Sequence, residues 1–325
     1  MEEIQSMKKA KNASHAKTDP GKHLPVKGAA VYTEILKQLK KGDRAAVVTY
    51  NNYIKSLLSV HKHSPETLNW DDFANAHEPK LPLRQSLNQD VADQEYRSYA
   101  PTILDKMFGQ CKKKMSDLMK NTEQAKRYDD LIYNASLKEF RNDYQDWEKG
   151  QRIAKGVKNS EPEAYQQAIE FLDPCEQLTQ MGTRVRIESH ADHVVAHLNF
   201  HLTEMIPDYV LSHSPAGKVL KTEMPEQRFH ELCHHHICAS ALRIGREVFA
   251  VLPVNTVLVH AYTFLPDATS GGTHKELILS VRLTRKEMQE LDFKTLSGPD
   301  HLAGFSPSID FSPHNGFSPV LALSY

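Results

Sequence analysis

Four cysteines, Cys111, Cys175, Cys233 and Cys238, are all that 325 residues contain, too few and too unevenly spaced for a disulfide framework. They read as reduced thiols, the state kept in a cytoplasmic compartment. Neither charge is in surplus: 40 Lys and Arg stand against 41 Asp and Glu. Affinity for a phosphate backbone comes chiefly from surplus cations, so a general nucleic-acid binder is not expected and only a local patch is left open. No apolar run approaches the ~20 residues that a membrane-spanning helix requires. The stretch "MEEIQSMKKAKNASHAKTDPGKH" carries no apolar core behind its charges and does not read as a secretory signal. The chain also lacks G-x-S-x-G, a Walker-type glycine–lysine run and G-x-G-x-x-G. "SGGTHK" (270–275) lies between strand patterns and reads as a hairpin loop rather than a phosphate cradle.

What is present is helical periodicity in the first half. Residues 1–28, polar and lysine-bearing, are expected to form a disordered arm. Residues 29–173 read as a helical region. Leu104, Phe108, Cys111, Met115, Leu118, Thr122, Ala125 and Ile132 follow steps of four and three, a coiled-coil-like seam suited to packing within the chain or against a second copy. Ser160-Glu161-Pro162-Glu163 reads as a capping box opening a helix to Leu172.

At Asp173-Pro174 the pattern changes to that of a compact α+β domain over 174–304, with a mainly antiparallel sheet. In "RVRIESHADHVVAHLNFHL" Val194, Ala196, Leu198, Phe200 and Leu202 alternate onto one face, with His193, His197 and His201 on the other. "GKVLKTEM" suggests a further strand, and Pro225 opens an amphipathic helix to about Val251. Two apolar strands flank Gly271-Gly272, and Thr284-Arg285-Lys286-Glu287 is a second capping box. Residues 305–325 repeat Phe-Ser-Pro at 305, 311 and 317. That spacing excludes a helix or an interior strand and reads as an extended tail laying phenyl rings on the domain.

The helix from Pro225 contains His230-Glu231-Leu232-Cys233-His234, a literal H-E-x-x-H. Residues four apart share a helix face, so His230 and His234 are candidate zinc ligands and Glu231 a candidate catalytic base, with His197 and His201 as further ligands. The usual third ligand is missing: Ile237 and Ser240 stand where a metzincin extension needs Gly and His. Glu247, on the same helix, is rotated away from both histidines. Thirteen of the eighteen histidines fall between residues 190 and 325, so the short motif arises readily by chance. An acidic-x-lysine nuclease element is also absent, because Glu276 follows Lys275.

The stretches "MPEQRFHELCHHHICASALRIGREVFAVLPVNTVLVHA", "ELILSVRLTRKEMQELDF", "NYIKSLLSVHKHSPETLNWDDFANAHEP", "DYQDWEKGQRIAKG" and "GFSPVLAL" resemble a widespread group of bacterial cytoplasmic proteins with no assigned activity. The resemblance implies a cytoplasmic protein with a helical N-terminal half and a small α+β domain. It also implies aromatic and acidic residues at the places of His230 and His234, which makes the zinc motif local to this chain.

Three functions are therefore expected, in this order. The first is an interaction or assembly protein, acting through the helical region on a partner or on itself, with no cofactor and no membrane. The second is a zinc-dependent hydrolase built on His230, His234 and Glu231. The third is a nucleic-acid-associated defence protein resting on the lysine-bearing arm and "CKKK" (111–114).

Overall fold

The computed structural model describes residues 27–41, 44–62, 65–266 and 271–325, with side chains from residue 34 onward. The 1–26 part of the expected arm lies outside the described residues, and Lys27 and Gly28 open the first helix. The α+β class read from the sequence is the class of the structure.

The helices in chain order are α1 (Lys27–Lys40), α2 (Ala45–Ser59), a 3-10 turn (Val60–Lys62), α3 (Trp70–Ala74), α4 (Leu87–Ser98), α5 (Ile103–Met107), α6 (Cys111–Lys158), α7 (Pro162–Leu172) and α8 (Glu176–Gln180). There follow β1 (Arg184–Ser189), β2 (His193–Asn199), α9 (Leu202–Met205), β3 (Tyr209–His213), β4 (Val219–Glu223) and α10 (Glu226–Val251). The chain closes with β5 (Thr256–Pro266), β6 (Thr273–Thr284), α11 (Arg285–Glu290), α12 (Gly298–Ala303), β7 (Ser308–Ser312) and β8 (Gly316–Ser318). No helix among the described residues is long and apolar enough to cross a membrane.

The described residues fall into two compact units, one of residues 71–152 and the other of those on either side of it. The helices read at 29–173 are thus divided: α1, α2 and α7 belong with the sheet. In that larger unit the strand order is β1-β2-β5-β6-β7-β8, antiparallel except for the β2–β5 pair, and β3–β4 form a separate hairpin. The alternation in β2 holds. Val194, Ala196 and Leu198 are wholly buried, facing inward, while His193 and His197 take the other face.

Helix α10 lies on the inward face and is the unit's central element. Its apolar stripe, Cys233, Ile237, Ala241, Ile244, Val248 and Val251, is buried, but so is nearly every other residue from His236 onward. A second layer of α2, the 3-10 turn and α12 covers its far side. One side chain gathers three carbonyls at and just beyond its C-terminus. Arg285 donates from Nε to Val254 O (2.9 Å), from Nη1 to Phe249 O (2.9 Å) and from Nη2 to Leu252 O (2.5 Å). Trp70 Nε1 adds a bond to Val251 O at 2.6 Å. Helix α2 is tied to the hairpin by Tyr50 OH, which donates to Tyr209 O, and to α9 by Tyr53 OH, which donates to Met205 O.

Two local readings are corrected. The residue capping α7 is Glu161, without a side-chain bond, and Ser160 sits at φ 58°, so the expected capping box does not form. The tail is not merely extended: 308–318 is a β-hairpin on the edge of the sheet. Pro307, Pro313 and Pro319 all fall outside its strands, where no ladder N–H is needed.

In the smaller unit, α6 alone spans 48 residues to Lys158, its last turns entering the larger unit at Ile153. Leu104 and Phe108 are not part of its seam. The helical path breaks at Gly109, whose φ of 64° a helix interior does not allow, so α5 is a separate short helix. Asp129 of α6, 4 % exposed, accepts from the backbone N–H of Gln89 and from Asn88 Nδ2, fixing the first turn of α4 against it.

Candidate functional site

The first two turns of α10 carry the H-E-x-x-H residues, and what they meet is the tail hairpin. Pro313 in its turn offers a carbonyl to His230. Since that oxygen only accepts, His230 Nδ1 is the donor, at 3.0 Å. The His234 ring stacks on Phe311 with centroids 4.1 Å apart and planes at 20°, and meets the edge of Phe317 at 6.0 Å. Phe311 and Phe317 are cross-strand partners 5.1 Å apart. Burial under these rings lowers the His234 pKa to about 4. Gly316 completes the fit: it adopts φ +74°, and a Cβ there would lie 3.3 Å from His230 Nε2.

The other candidate residues are not gathered around this pair. Glu231 accepts from Gln227 Nε2 at 3.2 Å along its own helix. His197 lies on the opposite face of the sheet from α10, so strand β2 separates it from His230 and His234. There its Nε2 is 3.5 Å from Glu188 Oε1. His201 follows β2 and packs on Phe264 at 5.1 Å. It shares with His230 the rim of an open depression of about 1250 Å³ below the hairpin. Among the described residues no three of His, Cys, Asp and Glu form a group that could hold a metal ion. Cys175, Cys233 and Cys238 are buried, which pushes each thiol up to about 12 and leaves them protonated at neutral pH.

The arrangement at His230 and His234 is thus a docking seat for the chain's own tail. Replacing Phe311 by Ala should cost ~2 kcal/mol of stability. The same change should raise the His234 pKa from about 4 toward its ordinary value, because its cover is gone. Urea unfolding and imidazole titration by NMR would read both; an unmoved His234 titration would remove the stack as the cause of its shift.

A different site was half visible in the sequence. Among the described residues, thirteen of the twenty exposed large apolar side chains fall within 71–152, about a quarter of the chain. The densest group is α5 and the turn after it, with Ile103 85 %, Leu104 63 %, Met107 70 % and Phe108 66 % exposed; Met115 and Met119 follow on α6. This corner is not loose. Thr102 and Asp105 form a complete capping box, and Asp105, 3 % exposed, pairs with Lys114 and accepts from the Thr102 backbone N–H at 3.0 Å. The Lys114 ammonium beside Asp105 holds its carboxyl well below the usual carboxylate range. Polar groups are turned inward to hold the corner while its apolar groups face out.

No family model matches this chain, and no curated protein or solved structure matches it. Function has to be read from these surfaces themselves.

Proposed function

We propose that this is a cytoplasmic assembly protein whose helical unit binds a second copy of itself through the corner formed by α5 and the start of α6. The observation that carries the reading is the rigid apolar corner just described. Ile103, Leu104, Met107 and Phe108 together expose on the order of 500 Å² of apolar surface, the size of patch that marks interaction sites. A second copy suits it on charge. Residues 71–152 hold fourteen Lys and Arg against fifteen Asp and Glu, so the unit as a whole has no net repulsion, while the corner carries Lys106, Lys112, Lys113, Lys114 and Lys120 against Asp105 and Asp117 and its lysines must splay around the apolar contact. Self-complementary apolar patches close as two-fold dimers.

The test is molar mass by light scattering for the native chain and for Leu104→Asp/Phe108→Asp. A dimer that falls to monomer in the variant, by a loss of at least ~100-fold in affinity, is expected for removal of two central anchors. Circular dichroism should be unchanged, since both side chains already face solvent. A native chain that remains monomeric at the highest attainable concentration would sink the reading. Zinc at one per chain, lost in His230→Ala/His234→Ala, would instead favour the hydrolase alternative.

A further inference from the structure

The face of the sheet opposite α10 carries a second surface, independent of the assembly reading. Four exposed cations rim it, Arg184 and Arg186 from β1 and Lys275 and Arg282 from β6, against two strand carboxylates, Glu188 on β1 and Asp310 on β7. Glu188 pairs with Arg186, and Asp192 lies at the β1–β2 turn. Four strand cations against two strand carboxylates is a local excess, since the whole chain has a net charge of −1. Within the rim are planar rings: His197 lies 5.5 Å from His260 and 6.0 Å from Tyr262, whose ring has the Lys275 ammonium 4.6 Å above it. Among the described residues, Asn199 Oδ1 of β2 is buried without a hydrogen-bond partner.

Part of this face is occupied by the chain's own last residues. Val320 N donates to Leu277 O (2.9 Å), and Leu323 N donates to Ser280 Oγ (2.9 Å), the hydroxyl that also bonds His260 Nδ1 (3.0 Å). The Tyr325 ring then stacks on His193 at 4.0 Å and 11°, and His193 stacks on His190 at 4.3 Å and 14°. Its hydroxyl bonds to Asp192. A face that seats one flat ring in a stack, and carries Arg186 and Lys275 beside two further rings, His197 and Tyr262, has the groups that hold bases and phosphates. The segment's hold is slight, for Leu321 is 86 % and Tyr325 59 % exposed.

We infer that this face binds single-stranded nucleic acid, with bases stacked on the His193, His197 and Tyr262 rings and phosphates on the four cations, and that residues 319–325 fill the seat in its absence. Bases of any kind can stack, so little sequence preference is expected, and affinity should fall steeply with salt.

The test is fluorescence anisotropy of a labelled single-stranded oligonucleotide with full-length protein at several salt concentrations. Leu323→Pro/Tyr325→Ala, which removes the donated N–H and the stacked ring, should bind at least ~10-fold more tightly than the native chain, by freeing the seat. Tyr262→Ala should weaken binding ~10-fold or more, by loss of one stacking ring. Arg186→Ala/Arg282→Ala should flatten the log–log salt slope by about 1.4, at ~0.7 per cation for single strands. No binding by the loosened variant would overturn the inference, as would binding indifferent to Tyr262 and both arginines. Capture of a synthetic 319–325 peptide by the loosened variant, with no oligonucleotide bound, would overturn it in favour of a peptide seat.

Discussion

Lowering the pH from 6.5 to 5 should remove ~5 kcal/mol of unfolding free energy, most of the margin of an ordinary domain. Three histidines account for it. Burial lowers His61, His234 and His236 each to about 4. His236 is wholly buried, its Nδ1 donating to Leu57 O at 3.1 Å and its ring edge-on to Phe200. His61 donates from Nε2 to Leu296 O and packs against Phe293 and His301. A histidine whose folded pKa lies below the unfolded value binds its proton more readily when unfolded. Its contribution is complete above about pH 6.5, is lost as pH falls toward 4, and changes no further below that. Each group then contributes ~1.6 kcal/mol across the interval, and the slope nears three protons at about pH 5. Glu247, raised by burial, acts in the opposite sense but is a single group. Chemical denaturation at a series of pH values reads the slope directly, and His236→Leu should take about a third of it away. A stability flat between pH 6.5 and 5 would show that these imidazoles are protonated in the fold.

The second large effect lies at the ion pair of Arg243 and Glu247, one turn apart on α10 with exposures of 8 % and 9 %. Burial lowers the arginine pKa and raises that of the glutamate, and each partner's charge opposes the shift of the other. Arg246 stands close by. It donates from Nη1 to His61 O at 2.6 Å with its guanidinium 4.2 Å above the Phe293 ring. Glu247→Leu would therefore take the carboxylate away from the buried Arg243 guanidinium, at a cost of ~3–5 kcal/mol. Replacing both charges, Arg243→Met/Glu247→Leu, should cost far less, because desolvation of the pair nearly cancels its attraction. The two variants compared by urea unfolding form the test. Equal losses would mean that the pair contributes net stability and that desolvation is minor.

What the sequence disclosed follows the range of the interactions involved. Helix α10 was legible to within a residue because Pro225 and the stripe from Cys233 to Val251 are local signals. The alternation of β2 and the Thr284 cap were legible for the same reason. Pairings between distant residues were not. Nothing local announces that β2 runs parallel to β5, that Tyr209–His213 would find β4, or that Phe311 would cover a histidine 77 positions earlier. The H-E-x-x-H spacing correctly put His230 and His234 on one helix face. It could not show that the face is taken by Pro313, Phe311 and Phe317, nor that His197 points away across the sheet. The seam reading found apolar residues where they occur, at Leu104, Phe108 and Met115, but joined across Gly109 what the backbone divides. Nor does any local pattern show that the Asp105 carboxylate turns inward there while its apolar neighbours face out.

Self-association through that corner is tested most directly by cross-linking an equimolar mixture of isotope-labelled and unlabelled protein with a lysine-specific reagent. Mixed-isotope links among Lys106, Lys112, Lys113 and Lys120 are the expected result, abolished in Leu104→Asp/Phe108→Asp. Mixed links found only between residues outside 71–152, or none at any concentration, would contradict it.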